Sequence, residues 1–295
     1  MNTVLLTSVS NYTPANISNF IHSVNNSGFN GEKVAFVFTS QSSTISYLQN
    51  NGFTVLFPSA EPTDWGYAHI QPSNYPPKNI FCDRFLHYSR YLVDNPQFLY
   101  CISSDCRDVV FQLDPSILLA EVLAHSGKDL IVSLEDIEYP MEDWNSTNLK
   151  LNFPEFYENL QGQQIANAGV IAGRSDVVRE LFQTIYLTSL GGRMHSRVRL
   201  TSTDQSAFNI LLSQNVWSQR SFFASNADPW AAQIGSYASK LDLYHSRGLP
   251  VPRLQDEKIV NTLGKPYAIV HQYDRMPDWK DAINSIYSGY SSSLR

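Results

Sequence analysis

The residues best equipped for chemistry lie in one segment, Phe98-Leu-Tyr-Cys-Ile-Ser-Ser-Asp105-Cys-Arg107-Asp108-Val-Val-Phe-Gln112. Asp105 and Asp108 stand three apart, close enough for their oxygens to converge on one divalent cation, which as a hard ion prefers oxygen donors. They follow a short apolar run, Phe98 to Ile102, of the kind that forms a strand buried on both faces. In an open α/β sheet the carboxyl ends of such strands border a crevice, and that is where ligands bind. An isolated Asp-x-x-Asp is more often a plain polar turn, so the rest of the chain has to decide.

Four other places offer polar groups at the ends of regular elements. Arg84 lies off the apolar stripe of a helix marked by Phe81, Phe85, Tyr88 and Leu92, one element before the Asp105 strand; a solvated surface arginine is an equally good reading. A second strand, Asp129 to Leu134, ends in Glu135, Asp136 and Glu138, which extends the expected cleft. Asn167 sits among small residues in Ile165-Ala-Asn-Ala-Gly-Val-Ile-Ala-Gly173, where a ligand can approach closely. Thr203-Asp204-Gln205 opens a further helix, although an acid there is also favoured by the helix dipole alone. Finally, Pro266-Tyr-Ala-Ile-Val ends in His271, a position more often filled by a structural histidine than by a ligand.

These residues need a scaffold, and the pattern around them supplies one. Val4 to Val9 reads as a strand, Ile17, Phe20, Ile21 and Val24 as a helix face, Val34 to Phe38 as a strand, Ser43 to Gln49 as a helix stopped by Asn51-Gly52, and Phe53 to Phe57 as a third strand. Such alternation requires crossovers and predicts an α/β fold with a mostly parallel central sheet flanked by helices. No Gly-rich loop of dinucleotide or P-loop type follows the first strand. The proline- and aromatic-rich stretch 59–78 reads as a rim or lid, and 139–163 as an irregular aromatic insertion. Ile117 to His125 reads as a helix closed by Gly127, Ser175 as the N-cap of a helix, Met276 onward as a closing helix, and 288–295 as a frayed tail. A single domain over 1–287 is expected.

The chain has 295 residues, 43% of them hydrophobic, and a formal net charge of −6, which argues against a nucleic-acid partner. Cys82, Cys101 and Cys106 lack metal-site spacing and read as reduced thiols. With no basic and apolar leader at the amino terminus and no run long enough to span a bilayer, a cytoplasmic protein is expected. Peripheral contact with a membrane surface and the oligomeric state stay open. Asn11-Tyr-Thr, Asn16-Ile-Ser, Asn25-Asn-Ser and Asn145-Ser-Thr match the glycosylation pattern and carry no meaning without export.

In this order the Arg-bearing helix, the strand ending in aspartates, Asn-Ala-Gly, Asp-Gln and the strand ending in His271 resemble a nucleotide-sugar-dependent glycosyltransferase of the GT-A (Rossmann-like) fold. The pattern is similar to the glycogenin and lipopolysaccharide galactosyltransferase group, over roughly Val4 to Trp279. The resemblance implies that Asp105, Asp108 and His271 hold manganese (or magnesium) against the diphosphate of a nucleotide-sugar donor, with UDP the expected nucleotide. It implies that Arg84 and Asn167 also contact the donor, that Gln205 lies beside the anomeric carbon, and that transfer to a glycan or glycolipid acceptor retains configuration. The resemblance then places Asp204 on the catalytic and acceptor sides together and Glu135 and Asp136 on the acceptor side, with 1–135 as the nucleotide-sugar-binding half and 136–287 as the acceptor-binding half. If the enzyme inverts instead, Asp204 and Glu135 are candidate bases. The group's motif is Asp-x-Asp, whereas here the spacing is Asp-x-x-Asp, with Ser103 two residues before Asp105 in the place of a first acid. Either Asp105 and Asp108 share the ion, which is the favoured reading, or Asp105 binds it alone while Asp108 braces Arg107. A purely structural Arg107–Asp108 pair is the third alternative. Two rivals to a transferase are a non-catalytic carbohydrate-binding protein on the same scaffold and a nucleotidyltransferase that makes sugar nucleotides.

Overall fold

The computed structural model of the chain describes residues 2–58, 80–192 and 203–287. The expected rim 59–78 and tail 288–295 lie outside the described residues. The first part alternates as the sequence pattern requires: β1 (Thr3–Ser10), α1 (Pro14–Asn26), β2 (Glu32–Thr39), α2 (Ser42–Asn50), β3 (Thr54–Leu56), α3 (Ile80–Asp94) and β4 (Tyr100–Ser104). Next come β5 (Val109–Phe111), α4 (Pro115–Ser126), β6 (Leu130–Glu138), α5 (Asp143–Asn152), α6 (Pro154–Leu160), β7 (Gln164–Arg174), α7 (Ser175–Leu190), α8 (Thr203–Leu212), α9 (Asn215–Ser218) and β8 (Ser221–Ala224). The chain then runs through β9 (Ala231–Gln233), α10 (Ile234–Ser239), α11 (Leu241–Arg247), β10 (Arg253–Gln255), β11 (Lys258–Val260), β12 (Ile269–His271) and α12 (Pro277–Tyr287).

Seven strands form an open central sheet in the order β3-β2-β1-β4-β7-β6-β8. Only β7 runs against the others, pairing antiparallel with both β4 and β6. The fold is therefore α/β with a mostly parallel sheet, compatible with a Rossmann-like arrangement. Apolar residues on both faces of β1 explain why it lies inside the sheet. Leu5 and Val9 pack with α1, α2 and α4, whereas Val4 and Leu6 pack with α3, α7 and α8. Each such fully buried aliphatic side chain contributes about 1.5–3 kcal/mol. The strand order turns around between β1 and β4, and this switch point opens a crevice at their carboxyl ends.

Three local expectations change. Residues 139–163 are not irregular, because α5 and α6 occupy most of the stretch and bury Leu149, Tyr157 and Leu160 in a third apolar cluster. β6 does not stop at Leu134 but continues through the acids to Glu138, with register shifts against β7 on the way. Ser175 is the first residue of α7 and Arg174 occupies the cap position. The domain boundary drawn at 135/136 falls inside β6, and the central sheet takes strands from both sides of it.

One unforeseen element organises the site. A small sheet of order β5-β12-β9 sets His271 opposite Val109 in antiparallel pairing and opposite Gln233 in parallel pairing. All three strands are short, yet their register alone carries a histidine near the carboxyl end of the chain to the acids that follow β4.

Candidate metal centre and cleft

Asp105 is the first residue after β4, and its N–H donates to the Gly169 carbonyl at 2.9 Å, continuing the β4–β7 ladder by one step. Asp108 directly precedes β5, and its carbonyl accepts the Gln272 N–H at 2.7 Å. His271 ends β12 and is buried. Its Nε2 lies 3.6 Å from Asp105 Oδ2 and 3.8 Å from Asp108 Oδ1. One ligand atom from each of the three residues falls within 4.8 Å of the other two.

The second nitrogen of the ring decides what Nε2 can do. Nδ1 is 2.8 Å from Gln233 Oε1, so the carboxamide oxygen takes the Nδ1 proton and leaves Nε2 facing the carboxylates. Gly169 makes room for this ring, since a Cβ there would lie 2.3 Å from His271 Cε1 and 2.9 Å from Asn167 Oδ1. The gaps of 3.6 and 3.8 Å are too long for good hydrogen bonds. Two oxygens and an imidazole nitrogen at such spacing are able to hold a divalent metal ion. The donor set suits manganese, and magnesium less well because of the imidazole. Asp108 also faces Arg107 at 2.8 Å, and Arg107 reaches Asp274 at 2.9 Å. Thus Asp108 presents one oxygen to the histidine and the other to an ion pair, which joins two readings that the sequence left as alternatives.

Burial opposes charge on Asp105, but the Arg84 guanidinium and the His271 imidazole outweigh it and hold the carboxyl well below the usual carboxylate range. Burial pushes the Asp108 carboxyl upward, although His271 and Arg107 pull it down. For His271 burial disfavours the cation, yet the facing acids raise its pKa. The same two acids would accept a metal ion in place of that proton.

The cleft beside this corner has a volume of about 600 Å³, within the range of small-molecule sites. Arg84, Asp105, Glu135, Asn167, Asp204, Gln205 and His271 all line it. Arg84 is buried, not a surface arginine; its guanidinium contacts Asp105 and lies 3.3 Å from Asp204 Oδ2 and 3.4 Å from the Ala168 carbonyl. Asp204, in the first turn of α8, is therefore committed to a cation.

The floor is a network of amides around Glu135. Asn167 Nδ2 donates to Glu135 Oε1 at 2.8 Å and Gln205 Nε2 to the same oxygen at 3.3 Å. Asn145 Nδ2 and the Ser236 hydroxyl donate to Oε2. Gln205 Oε1 accepts the Ala168 N–H at 2.8 Å, and its amide also donates to Asn145 Oδ1 at 3.2 Å. Burial raises the Glu135 pKa, against the hydrogen bonds from Ser236 and Asn167.

Asp136 does not join this group. At a left-handed φ of 54° it turns away from the cleft, and its carboxylate accepts the Asn226 N–H at 2.7 Å. The expectation that it contacts an acceptor is corrected accordingly: the broken alternation in β6 gives Glu135 to the cleft and Asp136 to the loop after β8. Asn145, read only as a glycosylation sequon, is buried in the floor. Gln233 and Ser236 were missed altogether, because single polar residues in the stretch after Trp230 carry no pattern until β9 is paired with β12.

No protein-family model matches the chain, and no curated protein matches its sequence. Among the described residues no helix is long and apolar enough to cross a membrane. The three cysteines are free and buried.

Proposed function

We propose that the chain is a metal-assisted GT-A glycosyltransferase that moves a sugar from a nucleoside-diphosphate sugar, a UDP-sugar first, to a hydroxyl of a glycan or glycolipid with retention of configuration. The observation that carries this reading is the meeting of Asp105, Asp108 and His271 at the switch point of the sheet, beside a cleft floored by Arg84, Asn167 and Gln205.

A bound cation would be held by Asp105, Asp108 and His271, and would neutralise charge on the departing diphosphate. Arg84 shares its charge between Asp105 and Asp204, so it fixes both carboxylates and keeps a positive centre beneath the phosphates. The Gln205 carboxamide is immobilised by Ala168, Glu135 and Asn145. A carboxamide is a poor nucleophile, which favours front-face displacement in which the leaving phosphate takes the acceptor proton. Glu135 is already occupied by four donors and Asp204 by Arg84. Neither is free to act as a general base, and this favours retention over inversion.

The test is hydrolysis of a panel of sugar nucleotides by the protein with manganese or with a chelator, followed by NMR of the product anomer. Manganese-dependent cleavage of one donor, lost in His271→Ala, is expected. Cleavage that survives chelation, or no nucleotide bound in any condition, would refute the assignment.

A further inference from the structure

One wall of the cleft carries an aromatic ring that has no aromatic or cationic partner among the described residues. Trp144 is 51% exposed, whereas Trp217, Trp230 and Trp279 are buried, so it is the only exposed tryptophan among the described residues. It lines the cleft and has no aromatic or cationic partner among those residues. Its backbone is held firmly. The Glu142 carboxylate accepts the N–H groups of Trp144 at 3.2 Å and Asn145 at 2.6 Å, and Lys240 ties the preceding Asp143 to the start of α11 at 2.7 Å. An exposed ring on a clamped first turn is a rigid platform, which lowers the entropic cost of binding.

Gln272 lines the same cleft. Its φ of 60° and its N–H bond to the Asp108 carbonyl fix the backbone, and its carboxamide lies over Gly235, where a Cβ would come within 2.0 Å of Oε1. That carboxamide makes no hydrogen bond among the described residues. The cleft therefore offers an apolar ring face together with a side-chain donor and acceptor that have no partner among the described residues, while Asn167 and Gln205 of its floor are bonded to Glu135. A pyranose has the matching chemistry, with an apolar face of C–H bonds and a rim of hydroxyls that both donate and accept. The neighbours Glu142, Asn145 and Ser239 are polar, which suits hydroxyls and not an acyl chain.

We infer that Trp144 and Gln272 form a saccharide subsite in which a pyranose ring stacks on the indole and is hydrogen-bonded by the carboxamide. The acceptor in the transferase reading is then a glycan engaged through its sugar; the name acceptor rests on that reading, and the subsite does not.

The wild-type protein is screened on a broad glycan array with and without UDP and manganese, and the best soluble oligosaccharide is titrated by calorimetry and tryptophan emission. Trp144→Ala should weaken saccharide binding about tenfold, with Trp144→Phe within about threefold of wild type. Gln272→Ala should weaken it by about three- to tenfold. The saccharide should shift the tryptophan emission of the wild type but not that of Trp144→Phe, a result that holds even if the alanine variant folds poorly. No glycan bound, unchanged affinity in Trp144→Ala, or an emission shift that persists in Trp144→Phe would overturn the subsite. Calorimetry with UDP and manganese reports separately on the transferase: saccharide binding without nucleotide binding removes the enzyme and keeps the subsite, and the converse keeps the enzyme alone.

Discussion

Two polar regions share one cleft and are built on opposite principles. Around Glu135 every strong acceptor meets a donor, from β7, α5, α8 and α10 at once. At the Asp105–Asp108–His271 corner one oxygen of each aspartate meets an arginine, Arg84 or Arg107, and the other faces the imidazole across 3.6 or 3.8 Å. A buried network that is satisfied makes a structure rigid. The corner keeps one carboxylate oxygen of each aspartate outside its arginine pair, and together with the imidazole nitrogen these oxygens could hold a cation.

Breaking the corner should cost function and little stability. His271→Ala is expected to reduce manganese-dependent donor cleavage about a thousandfold or more, because the remaining carboxylates lose their nitrogen partner. Manganese calorimetry and donor hydrolysis, with circular dichroism as the folding control, check this. Asp108→Asn should behave alike; full activity in either variant would mean that the corner is structural. Breaking the floor should do the reverse. Glu135→Leu strands four donors and should cost about 3–5 kcal/mol in urea unfolding, since buried polar groups are then left unpaired. A stable Glu135→Leu protein would erase the contrast between the two regions.

Asp136 sharpens the comparison, because it shows what burial does to a carboxylate that has neither the cation corner nor the amide network. Burial pushes it up to about 7 despite the Asn226 hydrogen bonds. Its folded-state pKa thus exceeds the ordinary value of 3.8. The folded protein then holds more protons than the unfolded chain between these values, so the contribution is fully present in acid and is lost as pH rises from about 4 through about 7. The loss is roughly 2–4 kcal/mol, and Asp136→Asn should abolish it. Urea midpoints at pH 5 and pH 8 in both proteins measure the difference; an identical pH trend would show Asp136 to be ordinary. The smallest effect is expected from Arg107→Ala. Its guanidinium is 39% exposed, and an ion pair so open to solvent contributes under about 1 kcal/mol. A larger loss would mean that Arg107 holds Asp108 in place for the corner.

The sequence was most informative where one strand or helix carried its own signal. The apolar run before Asp105, the alternation over the first 57 residues and the helical spacing of Phe85, Tyr88 and Leu92 all correspond to elements of the structure. These patterns are local, and burial on both faces makes them strong. The corner itself was legible as a set of residues, but not as a place. His271 meets Asp108 only through the β5–β12 ladder, and strands as short as these leave no periodicity to read. The floor was harder still. Gln205 and Asn167 stood out because of their neighbours, whereas Asn145 and Ser236 are unremarkable until tertiary packing delivers them to Glu135. Asp136 was misplaced for a related reason: alternation along β6 fails at a left-handed residue, and nothing in Leu-Glu-Asp-Ile-Glu announces one.

The β5–β12–β9 sheet also sets a schedule. Asp105 and Asp108 leave the ribosome long before His271 does, and β12 brings the imidazole to them only after the strands of the central sheet have been made. Until then the acids are without the imidazole, and the β5–β12 ladder is what brings it to them. A chain broken off before Ile269 can keep the strands of the central sheet and still lack this corner.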